Sequence, residues 1–189
     1  TSSDGSSFDT AATVEGQEAP PPLRRAPSAV PVFTKRIDVG KRIRSARLYA
    51  TALGVLDLTV NGRPVSRAVL EPPNTDHKER LVYSPYDVTG LLRRGANDLR
   101  VELGNGMAHV PATPGRYQKL TRSDGAPAFL LQLEITYGDG RRVVIGSDPS
   151  WRTALGATTF SGWYGGEDHD ARRVPGDWAA AVRRDPPTA

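Results

Sequence analysis

Apolar residues recur at every second position through one short segment after another, with turn-forming residues between the segments. Residues 32–39 read VFTKRIDV, 45–52 read SARLYATA and 55–60 read VLDLTV, the last two parted by Gly54. A period of two matches a pleated strand with one buried face, and it does not match the 3.6-residue period of a helix. Asn61-Gly62 then supplies the dipeptide best suited to a tight hairpin, because both residues tolerate positive φ. Residues 80–88, 97–103, 128–137 and 141–146 continue as strands, and Tyr137-Gly138-Asp139-Gly140-Arg141 repeats the hairpin signal. One helical turn is expected at 89–92, capped by Asp87 or Thr89 and ended by Gly95. About eight short strands with turns between them predict an all-β fold, an antiparallel β-sandwich of the jelly-roll type. The expected core is Tyr49, Leu56, Leu58, Val60, Leu81, Tyr83, Leu99, Val101, Leu103, Leu131, Leu133 and Ile135. The indole of Trp151, after the turn Asp148-Pro149-Ser150, is also read as buried.

The 189 residues suffice for one domain with a core. Nineteen glycines and sixteen prolines suit short strands joined by many turns. No apolar run approaches the ~18 residues that span a bilayer, so no membrane partner is expected. The lack of an initiator Met and of a basic-then-apolar leader reads as a mature product or an excised piece. Zero cysteines exclude disulfides, thiolate metal sites and a cysteine nucleophile. Residues 1–31 are rich in Ser, Gly, Ala and Pro, too poor in bulky apolar groups to offset ordering entropy, and are expected to be a disordered or extended tail or linker. The sandwich is expected over 32–178 and a C-terminal linker over 179–189. The net charge is +4, yet the arginines are spread among acids with only pairs such as Arg93-Arg94 and Arg141-Arg142, so nucleic acid is not expected as a partner.

His77, His109 and His169 fall in predicted loops with no i, i+4 pair and no cysteine, which argues against zinc. No G-x-S-x-G elbow is present, and Gly104-Asn105-Gly106 is too short for a nucleotide loop. A glycosidase needs two carboxylates across one bond, one with a raised pKa. Glu167, Asp168 and Asp170 are clustered, with Glu71 and Asp76 elsewhere, but nothing in the chain order sets any two across a cleft. Such acids in a jelly roll more often bind calcium or cap a turn. Sugar binding has another signature, an aromatic face under the apolar side of a pyranose and planar polar groups on its hydroxyls. Two loops offer it: Trp163 and Tyr164 with Glu167, Asp168 and Arg172, and Asn74, Asp76 and His77 with Asn105 and His109. Trp163-Tyr164 suits sugar contact and packing under a neighbouring domain equally. Asn105 suits a sugar hydroxyl or a left-handed turn position, the turn being favoured.

The ordered set ARLYATALGVLDLTVNGRPV, TDHKERLVYSPYDVTGLLRRGANDL, the LGNG turn, APAFLLQLEITYGDGRR, SDPSW and YGGEDHDAR resembles the N-terminal β-domain of bacterial α-L-rhamnosidases, over roughly residues 46–173. The resemblance implies a galactose-binding-like β-sandwich placed before the (α/α)-barrel of an inverting glycoside hydrolase. It implies a non-catalytic accessory or carbohydrate-binding domain, with a rhamnose-containing glycan and that catalytic barrel as partners. A structural interdomain-packing module without a ligand is the alternative. The sugar-contact set is Asn74, Asp76, Asn105, Trp163, Tyr164, Glu167 and Asp168. Some relatives bind rhamnose through calcium, which makes calcium the candidate cofactor. The family often carries Asp where Asn105 stands and a large aromatic where Met107 stands, and both departures remove sugar or cation contacts. The family's substrates suggest an extracytoplasmic setting, and zero cysteines are equally compatible with the cytosol.

Overall fold

The computed structural model describes residues 13–15, 29–113 and 115–184 of the chain. Two antiparallel sheets face each other, with strands numbered in chain order. The first sheet runs β16 (Val182–Arg184), β1 (Thr13–Glu15), β10 (Ala128–Tyr137), β3 (Ile43–Leu53) and β6 (Ser84–Asp87). Strand β11 (Arg142–Gly146) pairs with the later half of β10, on residues that β1 leaves uncovered. The second sheet runs β15 (Ala179–Ala180), β12 (Arg152–Leu155), β2 (Pro31–Val39), β7 (Gly95–Gly104), β4 (Val55–Val60) and β5 (Arg63–Pro64). Two small hairpins lie outside the sheets, β8 (His109–Val110) with β9 (Arg122–Ser123) and β13 (Thr158–Gly162) with β14 (Gly166–His169). The expected antiparallel β-sandwich is present.

Alternation places the core. Leu56, Leu58 and Val60 of β4, Leu99, Val101 and Leu103 of β7, and Leu131, Leu133 and Ile135 of β10 are buried in one cluster between the sheets. Each such side chain contributes roughly 1.5–3 kcal/mol by leaving water. Trp151 is fully buried, its Nε1–H donating to the Gly146 carbonyl at 3.1 Å, and its ring meets Phe129, which meets Phe33. Asn61 and Gly62 both have positive φ, 53° and 74°, as the hairpin required. The Asn61 amide also donates to the Leu91 carbonyl and to Asn97 Oδ1.

Several expectations are corrected. Tyr49, Leu81 and Tyr83 are not core residues: Leu81 and Tyr83 are exposed, and Tyr49 is half-buried, its ring edge-on to Tyr83. In SARLYATA the inward phase belongs to Ala46, Leu48, Ala50 and Ala52, and Leu48 pairs with the buried Tyr86. The strand expected at 80–88 begins only at Ser84, and it is an edge strand, where Pro85 with no N–H is tolerated. The expected helical turn is a bare turn, in which Leu91 N–H and Leu92 N–H both donate to the Val88 carbonyl. Asp87 caps it by accepting from Thr89 N–H, and the Thr89 hydroxyl first and this N–H second hold the Asp87 carboxyl below its usual range. The Thr89 hydroxyl also bonds the backbone of Ala46, accepting from its N–H and donating to its carbonyl.

Regular structure also extends beyond the expected sandwich limits. Within the segment read as a tail, Thr13–Glu15 is a strand between β10 and β16, and Pro31 already belongs to β2. The segment read as a C-terminal linker holds β15 and β16. The remainder of both segments, 1–12, 16–28 and 185–189, lies outside the described residues.

Candidate functional site

The β3–β4 turn and the LGNG turn meet at one end of the sandwich. Gly54 has φ +144°, and a Cβ there would stand 2.4 Å from the Gly104 carbonyl oxygen. Gly106, at φ +58°, would bring a Cβ within 2.9 Å of the Gly54 carbonyl carbon. No side chain fits at either position, so the backbones touch. The left-handed residue of this turn is therefore Gly106, and the turn role favoured for Asn105 is corrected. Asn105 is buried, and its amide donates to the Ser161 carbonyl at 2.7 Å, fastening the β13–β14 hairpin to the end of β7.

The hairpin forms one wall of a groove of about 720 Å³. Its floor is the outer face of β4 and β7, where Val55 pairs with Gly104 and Asp57 with Glu102. The segment 66–70 forms the opposite wall. That wall is pinned through Glu71, whose carbonyl accepts from Leu56 N–H at 2.7 Å and whose carboxylate accepts from the Tyr86 hydroxyl at 2.9 Å. Burial pushes the Tyr86 phenol up to about 12; a hydrogen bond with Ser84 pulls the other way and Glu71 adds to the rise. The hairpin wall is pinned through Glu102, which accepts from the Thr158 hydroxyl at 2.7 Å. Three carboxylates, Asp57, Glu102 and Glu167, line the groove with His169 and Arg67. Its rim is apolar, with Trp163 38% exposed, Leu70 57% and Val69 81%.

The sugar-contact set divides here. Trp163 and Glu167 line the groove together, and Asn105 lies behind it between two lining glycines. Tyr164 and Asp168 are engaged elsewhere by the long loop before β9. Arg116 donates to the Gly165 carbonyl and to Asp168 Oδ2, and its guanidinium stacks on the Phe160 ring at 4.8 Å. Tyr117 meets the Tyr164 ring edge-on at 6.0 Å. Asn74 is exposed beside a crevice of about 10 Å³ that it shares with Met107 and Trp163. Asp76 turns inward on its own loop and accepts from Lys78 N–H. His77 pairs with Asp124, which Arg122 holds below the usual carboxylate range. Arg172, at the hairpin's exit, is exposed and pairs with both carboxylate oxygens of Asp170.

Asp57, Glu102, Val69 and Leu70 belong to the groove and were missed. Asp57 and Glu102 are the outward members of alternating strands, a visible signal, but only the β4–β7 register makes them neighbours. Calcium takes six to eight oxygen ligands. Among the described residues no three His, Asp or Glu side chains gather as a metal set, and the Asn105 amide is committed to Ser161. These side chains do not fit a calcium cage.

Comparison with known proteins places this architecture. The family model of the Alpha-L-rhamnosidase N-terminal domain matches residues 41–186. An α-L-rhamnosidase of Streptomyces avermitilis is 40% identical over 141 residues, 74% of this chain and 13% of that protein. The crystal structure of a Streptomyces avermitilis α-L-rhamnosidase complexed with L-rhamnose superposes with a TM-score of 0.75 at 35% identity, covering 83% of this chain and 16% of that one. The native enzyme from Aspergillus terreus superposes at 0.80 with 26% identity, covering 95% of this chain and 22% of that one. The chain thus spans less than a quarter of the length of each of these relatives.

Proposed function

The chain belongs to the α-L-rhamnosidase N-terminal domain family, and from that premise we propose that it is a non-catalytic accessory domain of an enzyme acting on rhamnose-containing glycans. In this reading it stands beside the (α/α)-barrel catalytic domain of the same enzyme and offers its groove to the glycan. The observation that carries the sugar contact is the groove itself, which Trp163 lines together with the carboxylates Asp57, Glu102 and Glu167. An indole packs on pyranose C–H groups while carboxylates accept from hydroxyls.

Absence of catalysis is supported by electrostatics. A general acid needs a carboxyl held above its ordinary pKa. Among the described residues, the carboxyls that their surroundings clearly move, Asp87, Asp124, Asp139, Asp148 and Asp170, are all moved down. In Asp148 burial pushes up, but Lys35 and Ser150 outweigh it.

A second reading, packing against the neighbouring domain without a ligand, is favoured by the exposure of Val69 and Leu70 beside Trp163. Calorimetric titration of the chain with L-rhamnose separates the two. The sugar reading expects binding that survives EDTA and is lost in Trp163→Ala. Silence in native protein leaves the packing reading. Sustained release from p-nitrophenyl α-L-rhamnoside that disappears in Glu167→Gln would overturn the non-catalytic assignment.

A further inference from the structure

Three turns that are far apart in the chain meet at the end of the sandwich opposite the groove, and together they carry six cations and one acid. The β2–β3 turn brings Lys41 and Arg42, with Arg44 just inside β3. The loop entering β7 brings Arg93 and Arg94, and the β10–β11 turn brings Asp139 and Arg141. Strand register makes them neighbours: Val39 pairs with Gly95, Tyr137 pairs with Ile43, and Gly138 N–H donates to the Arg42 carbonyl at 2.9 Å. All six cations are exposed.

Internal neutralisation is small. Lys41 takes Asp139 at 2.5 Å, and Arg93 Nε donates to the Ala96 carbonyl. Arg42, Arg44, Arg94 and Arg141 form no ion pair with a described residue. Beside the tip, Glu134 is taken by Arg142, while Asp38 and Asp98 lie exposed on the outer face of the second sheet. The loop of Arg93 and Arg94 is also preorganised. The fully buried Asn97 amide donates to the Arg93 and Gly95 carbonyls at 2.7 and 2.8 Å and accepts from Arg93 N–H at 2.8 Å.

We propose that this tip docks an anionic polysaccharide, a glycan bearing carboxylate or sulfate groups. Guanidinium forks match the paired oxygens of both groups, and contacts repeated along a polymer add through effective concentration. A single-stranded nucleic acid would need stacking faces, and the aromatic that closes one of these turns, Tyr137, is buried. The choice of a glycan rests on the proposed accessory role in a glycan-acting enzyme. The tip stands roughly 30 Å from the groove, the length of a nine-residue strand at about 3.3 Å per residue.

The test is affinity electrophoresis of the 189-residue chain through gels containing polygalacturonate or dextran sulfate, with neutral dextran as reference. At about 50 mM salt the chain should be retarded by at least one polyanion and released as salt rises. The combined Arg42→Glu, Arg94→Glu and Arg141→Glu variant should weaken the apparent affinity about tenfold or more, each change reversing a charge at the contact. Arg80→Glu, Lys119→Glu and Arg173→Glu together make the same net change elsewhere and should weaken it less than about threefold. Equal loss in both sets, no retardation in native protein, or tighter binding to duplex DNA than to either glycan would overturn the proposal. Retardation by only one of the polyanions supports it and identifies the anionic group. If the glutamate set melts early, the Arg→Gln set at the same positions replaces it. Trp163→Ala should leave retardation unchanged, so the groove reading and this one fail separately.

Discussion

Asn97 and Asn105 stand at opposite ends of β7, both buried, yet they hold the molecule together in different ways. Asn97 works locally: three of its hydrogen bonds go to backbone within four residues, and the fourth joins it to Asn61 at the neighbouring hairpin. Asn105 works at long range, reaching the Ser161 carbonyl 56 residues away. The basic tip is therefore a stiff end made by its own turns. The groove end is an assembled one, in which a separate hairpin is fastened onto the sheet.

The contrast predicts different failures. Asn97→Ala leaves the Arg93 N–H and the Arg93 and Gly95 carbonyls without their partner, and should cost roughly 2–4 kcal/mol. Urea denaturation should show it as a lower midpoint for the whole domain. Asn105→Ala takes the donor from the Ser161 carbonyl, a loss that should cost about 1–2 kcal/mol. Its distinctive result is faster amide exchange in β13 and β14 with the core strands unchanged. Exchange rising equally in β7 and β10 would break the distinction between a local and an assembled end.

Tyr86→Phe gives the smallest effect, about 1 kcal/mol near neutral pH, because Glu71 keeps access to water. Its pH dependence sharpens the comparison. The native phenol titrates near 12 and an unfolded one near 10, so native Tyr86 holds its proton where the unfolded chain loses it. Its stabilisation is complete below pH 10 and disappears as pH rises from 10 to about 12. Native protein should melt above Tyr86→Phe at about pH 9, and at about pH 11.5 that advantage should be lost or reversed. A gap that does not narrow would show that the Tyr86 phenol is not withdrawn from water in the native protein.

Legibility followed the same line between local and long-range. Strand cores such as Leu99-x-Val101-x-Leu103 were readable because alternation is a property of neighbouring residues. Tyr49 and Tyr83 were misread because one position of slip exchanges the faces of a strand, and nothing local marks Leu48 as the inward partner of Tyr86. Trp163 and Glu167 were legible as loop candidates from their glycine-rich surroundings. That Tyr164 and Asp168 face away was not legible, since Tyr117 and Arg116 reach them from the long loop before β9.

By itself the amino-acid order determined that this chain folds as antiparallel strands turning at Asn61-Gly62 and at Gly138-Asp139-Gly140, because φ preference and side-chain alternation act within a few residues. Tertiary structure decided which charges share a surface. Arginines that look dispersed between Arg42 and Arg141 converge because Val39 pairs with Gly95 and Tyr137 with Ile43. Asp57 meets Glu102 only across the β4–β7 ladder. Those registers minimise the free energy of the whole buried core, which no short stretch of the chain encodes.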